Sequence, residues 1–339
     1  MTDSAPNRRL VLAQRPHGVP DDECFRLEEV SAPVPADGQA LVRVLYVSCD
    51  PAQRGWMSRD TYLPAIAMGE VIRSGAAGVV VESRTDEYPV GAHVFGMLGW
   101  QDYALIGADT GTDAMRIPPD LALADALSVF GITGLTAYFG VFDIGVPQAG
   151  ETFVVSGAAG GVGSIAGQLA KVAGCRVIGI AGSAEKCRWV VDELGFDACI
   201  DYKADDVDAR LRELAPDGID IYFDNVGGDI LDIVLGQVRD HARVIACGAI
   251  SRYNDTELAP GPRNFANVVP RRVKIQGFIL LDYAPRFLEG ILQLAQWVHD
   301  GSLVSRVDVT EGLEHAPEAL RKLFTGANIG KVIVHVADE

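Results

Sequence analysis

The chain has 339 residues, enough for two domains at roughly 150 residues each, and its 48% apolar and 22% charged residues exclude a disordered polymer. Twenty-nine Lys and Arg against 46 Asp and Glu leave a formal charge of −17, a field that repels phosphate backbones and anionic lipid, so nucleic-acid and membrane partners are disfavoured. No run approaches the roughly 18 apolar residues of a spanning helix and the first 16 residues hold no signal-like apolar core, so a soluble, cytoplasmic protein is expected.

Up to about residue 120 short β-branched runs dominate: 40–47 (ALVRVLYV), 78–82 (GVVVE) and 93–96 (HVFG), separated by turn residues. This is the texture of a mainly antiparallel, barrel-like β domain. From about residue 124 apolar strands alternate with amphipathic helices. Strands are predicted over 152–156, 176–181, 198–202, 219–225, 242–247 and 273–280, and helices over 162–173, 183–194, 205–214, 229–239 and 285–300. Six strands in such alternation predict an α/β fold, a doubly wound parallel sheet covered on both faces. In the last helix Leu288, Ile291, Leu292, Ala295 and Val298 recur at helical spacing and are assigned to the core. The run at 331–336 (KVIVHV) lies too far past the sixth strand to continue the alternation, so it is expected to rejoin the first domain and make the parallel unit an insertion, with a cleft between the domains.

Residues 154–167 (VVSGAAGGVGSIAG) place glycines between a buried strand and a helix start. There the backbone can turn tightly and approach a pyrophosphate, and the helix N-terminus offers N–H donors and partial positive charge. A site for an unphosphorylated ribose normally carries Asp or Glu at the end of the second strand, roughly 20 residues on. Here that strand ends in Ala181, Gly182 and Ser183 with Lys186 following, and Glu185 is taken to face solvent. A hydroxylated turn and a nearby ammonium suit a 2′-phosphate, which selects NADP(H). Tyr202 ends the third strand near the same phosphate. Asn225, Gly248 and Ser251, on the glycine-rich ends of the fourth and fifth strands, fall where the nicotinamide half should lie.

Cys24, Cys49, Cys175, Cys187, Cys199 and Cys247 form no C-x-x-C pair and read as reduced thiols. Cys49-Asp50 invites a zinc reading, but Cys49 and His93 lack a matching third partner at recognisable spacing, so no metal is expected.

These residues resemble the medium-chain dehydrogenase/reductase superfamily, in its zinc-free branch of prostaglandin, 2-alkenal and curcumin-reductase-like NADP-dependent oxidoreductases. The resemblance runs almost end to end through 47–55 (VSCDPAQRG), 69–73 (GEVIR), 99–103 (GWQDY), 131–140 (GITGLTAYFG), 159–163 (AGGVG), 181–186 (AGSAEK), 224–228 (DNVGG), 247–254 (CGAISRYN) and 328–331 (NIGK). It implies a GroES-like catalytic domain over 1–127, completed by 303–339, and a Rossmann domain over 128–302. It also implies that Gly160, Gly161, Val162 and Gly163 hold the pyrophosphate and that Ser183, Lys186 and Tyr202 hold the 2′-phosphate end. Asn225, Cys247, Gly248, Ala249, Ile250, Ser251, Phe278, Ile279, Leu280 and Asn328 would surround the rest of the cofactor, with Ile132 and Thr136 near the nicotinamide. Two positions depart from the branch pattern: Ala52-Gln53 stands for Tyr-Met, which implies an altered substrate pocket, and Gly161 stands for Ala.

The implied reaction is reduction of a carbon–carbon double bond conjugated to a carbonyl, with hydride to the β-carbon, an enolate to stabilise and a proton to the α-carbon. Tyr253, on the loop after the fifth strand, is the candidate hydrogen-bond donor to that oxygen. Quinone reduction and non-catalytic NADPH binding are the alternatives, and a homodimer is implied by the resemblance alone.

Overall fold

The computed structural model describes residues 5–339, in two compact units. The first takes the chain to Leu127 together with Val307–Asn328 and Val332–Glu339; the second takes Ser128–Arg306 and Ile329–Lys331.

The first unit is β-rich. β1 (Pro6–Leu12) and β2 (Phe25–Ser31) form an antiparallel pair. A seven-stranded sheet is built from β3 (Gln39–Ser48), β4 (Ala76–Ser83), β5 (His93–Gly96), β6 (Tyr103–Gly107), β7 (Ala114–Arg116), β14 (Val307–Glu311) and β15 (Lys331–His335). β15 lies antiparallel to β3, with Val334 opposite Val47. The core is closed by large side chains with almost no solvent contact, including Trp100, Met57, Ile72 and Ile106. β2 is absent from the sequence reading: only Phe25 in it is buried, and charged Arg26, Glu28 and Glu29 interrupt the apolar pattern.

The second unit is a six-stranded parallel sheet in the order β10-β9-β8-β11-β12-β13. Its strands are β8 (Thr152–Ser156), β9 (Arg176–Ala181), β10 (Ala198–Asp201), β11 (Ile219–Asp224), β12 (Val238–Ala246) and β13 (Lys274–Gly277). The order steps outward from β8 to β10 and then returns to β11 on the other side, so the strand-order reversal lies between β8 and β11. In doubly wound sheets ligands bind outside the carboxyl ends of strands at such a reversal. Buried apolar runs produce the central strands: Phe153, Val154, Val155, Ile221, Tyr222 and Phe223 are inaccessible. The covering helices include α3 (Ile132–Phe139), α4 (Gly161–Val172), α5 (Ala184–Asp192), α6 (Val207–Leu214), α7 (Gly228–Leu235) and α8 (Phe287–His299).

Three sequence expectations need correction. The helix predicted to Arg239 stops at Leu235, and β12 begins at Val238, four residues early. Exposed Arg239, Asp240 and His241 disguise the strand start, and His241 (φ 64°) breaks its regularity. The sixth strand is four residues long, and the chain continues into a 3-10 turn, Leu280–Arg286, that contains Pro285. In α8 the buried face runs through Gly290 and Leu294; Leu288 and Leu292 are exposed rather than core. A Cβ at Gly290 would stand 2.6 Å from Leu135, so the missing side chain is what lets α8 approach α3 there.

Candidate active site

The turn after β8 is shaped by absent side chains. Gly157 takes φ +61°, which L side chains resist. A Cβ on Gly163 would lie 2.2 Å from the Gly157 carbonyl oxygen, so only glycine lets α4 start this close to the end of β8. Gly160 caps α4 in an extended conformation, and its carbonyl accepts the Ser164 N–H at 3.1 Å. The bridge between Gly160 and Gly330 ties the chain down just before α4, and the N–H groups of Val162 and Gly163 precede the first intrahelical bond at the sheet edge. Thr133 packs on Gly161: its methyl would be 2.9 Å from a Cβ there. Ile132 opens α3 and Thr136 lies one turn on, its hydroxyl donating to the Ile132 carbonyl at 2.7 Å.

After β9 the chain enters α5 through Ser183, whose Oγ accepts the Lys186 N–H at 3.2 Å. Lys186 is buried at 9% exposure, whereas its neighbour Glu185 is exposed. Tyr202, directly after β10, lays its ring along Gly182: a Cβ there would be 2.8 Å from the ring and 3.0 Å from the hydroxyl. Ser183, Lys186 and Tyr202 are thus gathered at the ends of adjacent strands.

The ends of β11 and β12 are stitched by hydrogen bonds. Asn225 donates its N–H to Ser156 Oγ at 3.0 Å and its amide to the Ser156 carbonyl at 2.8 Å. Cys247 and Gly248 N–H groups both bond the Asp224 carbonyl at 3.0 Å, Ile250 N–H bonds the Asn225 carbonyl, and Ser251 donates to the Val226 carbonyl at 2.6 Å. Ala249 N–H donates to Tyr253 Oη at 3.2 Å. The phenol oxygen thereby accepts a backbone bond, and among the described residues the hydroxyl hydrogen has no acceptor. Burial pushes the Tyr253 phenol above its ordinary value, against the opposing backbone bond from Ala249, so it holds its proton through neutral pH. Burial pushes the Cys247 thiol up to about 12. Phe278, just past β13, lies 3.1 Å from where a Cβ on Gly140 would stand and meets Tyr283 edge-on at 6.2 Å; Ile279 and Leu280 lead from it into the 3-10 turn. Asn328 is buried in the other unit.

Two models of known families match the chain: one described as the N-terminal domain of oxidoreductase, over residues 8–115, and one described as zinc-binding dehydrogenase, over 161–297. The chain is 44% identical to the NADPH-dependent curcumin reductase of Escherichia coli, over 98% of each protein. The chain belongs to the NADP-dependent reductase branch of the medium-chain dehydrogenase/reductase superfamily. This reductase is also 36% identical to the NADP-dependent 2-alkenal reductase of Nicotiana tabacum over the whole of both chains. The crystal structure of Vibrio vulnificus CurA in complex with NADPH superposes with a TM-score of 0.92 at 42% identity, over 98% of this chain and all of that one.

The reductase is an NADP-dependent oxidoreductase. Its residues do not fit the zinc in the second family model's description. Among the described residues no three His, Cys, Asp or Glu form a group able to hold a metal ion. Buried Cys49 donates to the Ala316 carbonyl, and His93 pairs with Glu339 at 2.9 Å.

One residue of the site escaped the sequence reading. Asp224 Oδ1 accepts four hydrogen bonds, from Tyr222 Oη (2.8 Å), Ser156 Oγ (3.2 Å), Val226 N–H (3.0 Å) and Gly227 N–H (2.8 Å). Burial raises its pKa, and these hydrogen bonds oppose the rise. The signal was present: an Asp closing a buried strand before Asn-Val-Gly-Gly is an Asx-turn former with no solvent to satisfy it.

Proposed function

We propose that this reductase reduces the carbon–carbon double bond of α,β-unsaturated aldehydes or ketones. The names of its relatives support the substrate class, since a 2-alkenal is such an aldehyde. The observation that carries the reading is the fixed Tyr253 phenol, protonated and with its hydrogen unclaimed among the described residues, in the loop after β12.

NADP(H), when bound, supplies the hydride. The N–H groups at the start of α4 would hold its pyrophosphate, with Gly160 to Gly163 admitting it closely. Ser183, Lys186 and Tyr202 would take the 2′-phosphate, and the Lys186 ammonium supplies charge. Ile132, Thr136, Asn225, the loop from Cys247 to Ser251 and Phe278 to Leu280 would border the remainder.

As electron density moves onto the substrate, its carbonyl oxygen gains enolate charge. Tyr253 donates a hydrogen bond to that oxygen and stays un-ionised, because its pKa is raised and the Ala249 N–H fixes the ring's oxygen. A preorganised donor of this kind contributes most where charge develops.

The test is a panel of 2-alkenals, enones, saturated aldehydes and 1,4-quinones followed by NADPH absorbance, with NADH as comparison. Unsaturated carbonyls should be consumed and saturated ones spared; preference for quinones or for NADH would refute the reading. Tyr253→Phe should lower kcat by about 100-fold with NADPH affinity nearly unchanged. Turnover of the parent should stay level until pH passes the phenol's ordinary value of about 10. Equal loss of affinity and rate, or no change in rate, would remove Tyr253 from the chemistry.

A further inference from the structure

Cys187 in α5 and Cys199 in β10 have their sulfur atoms 2.7 Å apart. Both are free thiols and both are partly accessible to solvent, as is Cys247, whereas Cys24, Cys49 and Cys175 are buried. An S–S bond is about 2.05 Å long, so closing this pair needs a movement of roughly 0.7 Å. Helix α5 packs against β10, which holds the two sulfurs side by side.

The two thiols are not equivalent. Cys187 lies in the opening turn of α5, where the helix dipole favours an anion, and the sulfur-to-sulfur hydrogen bond lowers its pKa; burial, then Asp201 and Asp205, oppose this without reversing it. That same bond and burial push Cys199 far upward. The thiolate is the nucleophile in peroxide chemistry, so the order of events is set by which thiol ionises first.

We infer that Cys187 and Cys199 form a peroxide-reactive dithiol, with Cys187 attacking and Cys199 resolving. The Cys187 sulfur attacks one oxygen of a hydroperoxide, the O–O bond breaks, an alcohol (or water) leaves and Cys187 becomes a sulfenic acid. The Cys199 sulfur then attacks the Cys187 sulfur, the S–OH bond breaks and water leaves. Two thiols are oxidised by two electrons to one disulfide as the peroxide is reduced. The bond would join α5 to the edge strand, since Cys187 follows Lys186 and Cys199 precedes Tyr202 by three residues. The inference rests on the thiol geometry and stands apart from the cofactor reading.

The experiment treats the full-length reductase with hydrogen peroxide, alkylates the remaining thiols, and maps peptides by mass spectrometry. Two of the six thiols should be lost, with a Cys187–Cys199 crosslink lighter by two hydrogens that dithiothreitol reverses. In Cys199→Ser, Cys187 should stall as a sulfenic acid trapped by dimedone, and Cys187→Ser should give neither adduct nor crosslink. Six thiols still alkylatable in the wild type, or a crosslink between other cysteines, would overturn the proposal without recourse to variants. A dimedone adduct on Cys199 in Cys187→Ser would overturn the assigned order.

Discussion

At the end of β8 the chain turns by leaving side chains out, whereas at the ends of β11 and β12 it turns around a buried carboxylate. Gly157, Gly160 and Gly163 bring bare backbone to the sheet edge and leave helix N–H groups facing outward. Asp224 does the reverse, drawing four donors inward and locking the neighbouring loop through its own carbonyl. The first arrangement offers unsatisfied donors, which suits an anion. The second consumes its polar groups internally and presents one fixed phenol. A single sheet edge thus carries a binding half and a positioning half, each sensitive to a different kind of damage.

Adding volume should break the glycine half most severely. In Gly163→Ala the new Cβ meets backbone atoms at 2.2 and 2.8 Å, which cannot rotate away, so a loss of about 3 kcal/mol is expected, with NADPH binding abolished. Gly160→Ala is the control: its Cβ meets only the Gly157 oxygen at 3.2 Å, so thermal unfolding should change little. Equal melting temperatures for the two variants would refute the contrast.

Removing a group should break the carboxylate half. Asp224→Ala strands a fully buried tyrosine hydroxyl, a serine hydroxyl and two backbone N–H groups, at a cost of about 3 kcal/mol measurable by urea unfolding. Glycine-turn geometry should survive, so NADPH binding by the folded fraction should persist while turnover falls with the displaced Tyr253. Lys186→Ala is milder for the fold and sharper for selectivity. Loss of a charge-assisted contact worth about 1.5–3 kcal/mol should weaken NADPH ten- to about a hundredfold and leave NADH unaffected. Equal weakening of both would move the 2′-phosphate away from Lys186.

The glycine half was legible in the sequence and the carboxylate half was not, for a physical reason. Glycine spacing between a buried strand and a helix is itself the signal, because each glycine marks a place where a side chain would collide. Asp224 becomes meaningful only when β8, β11 and β12 are laid side by side, since Ser156 is 68 residues away from it in sequence. The same rule sorts the fold. The central strands β8 and β11 appear as continuous apolar runs because both faces are covered. β2, interrupted by charged residues, and β12, starting under Arg239, Asp240 and His241, depend on pairing that no local pattern encodes. The closeness of Cys187 and Cys199 likewise required α5 to be folded onto β10.

The smallest expected effect is the most specific to the carboxylate. Asp224→Asn keeps an oxygen for the four donors and removes the charge. In the native protein burial raises the Asp224 pKa above its unfolded value, so the fold prefers the protonated acid. Its contribution is therefore fully present below about pH 4 and is lost as pH rises through the raised value. Asp208, Asp240 and Glu289 behave oppositely, since arginine partners lower their pKa values, and so the whole-protein curve mixes both signs. The difference between native and Asp224→Asn stabilities isolates the one group. That difference should fall as pH rises from about 4 and level off above the raised pKa, in urea melts at closely spaced pH values. A difference that instead grows with pH would mean that the hydrogen bonds outweigh burial and that the folded site prefers the anion.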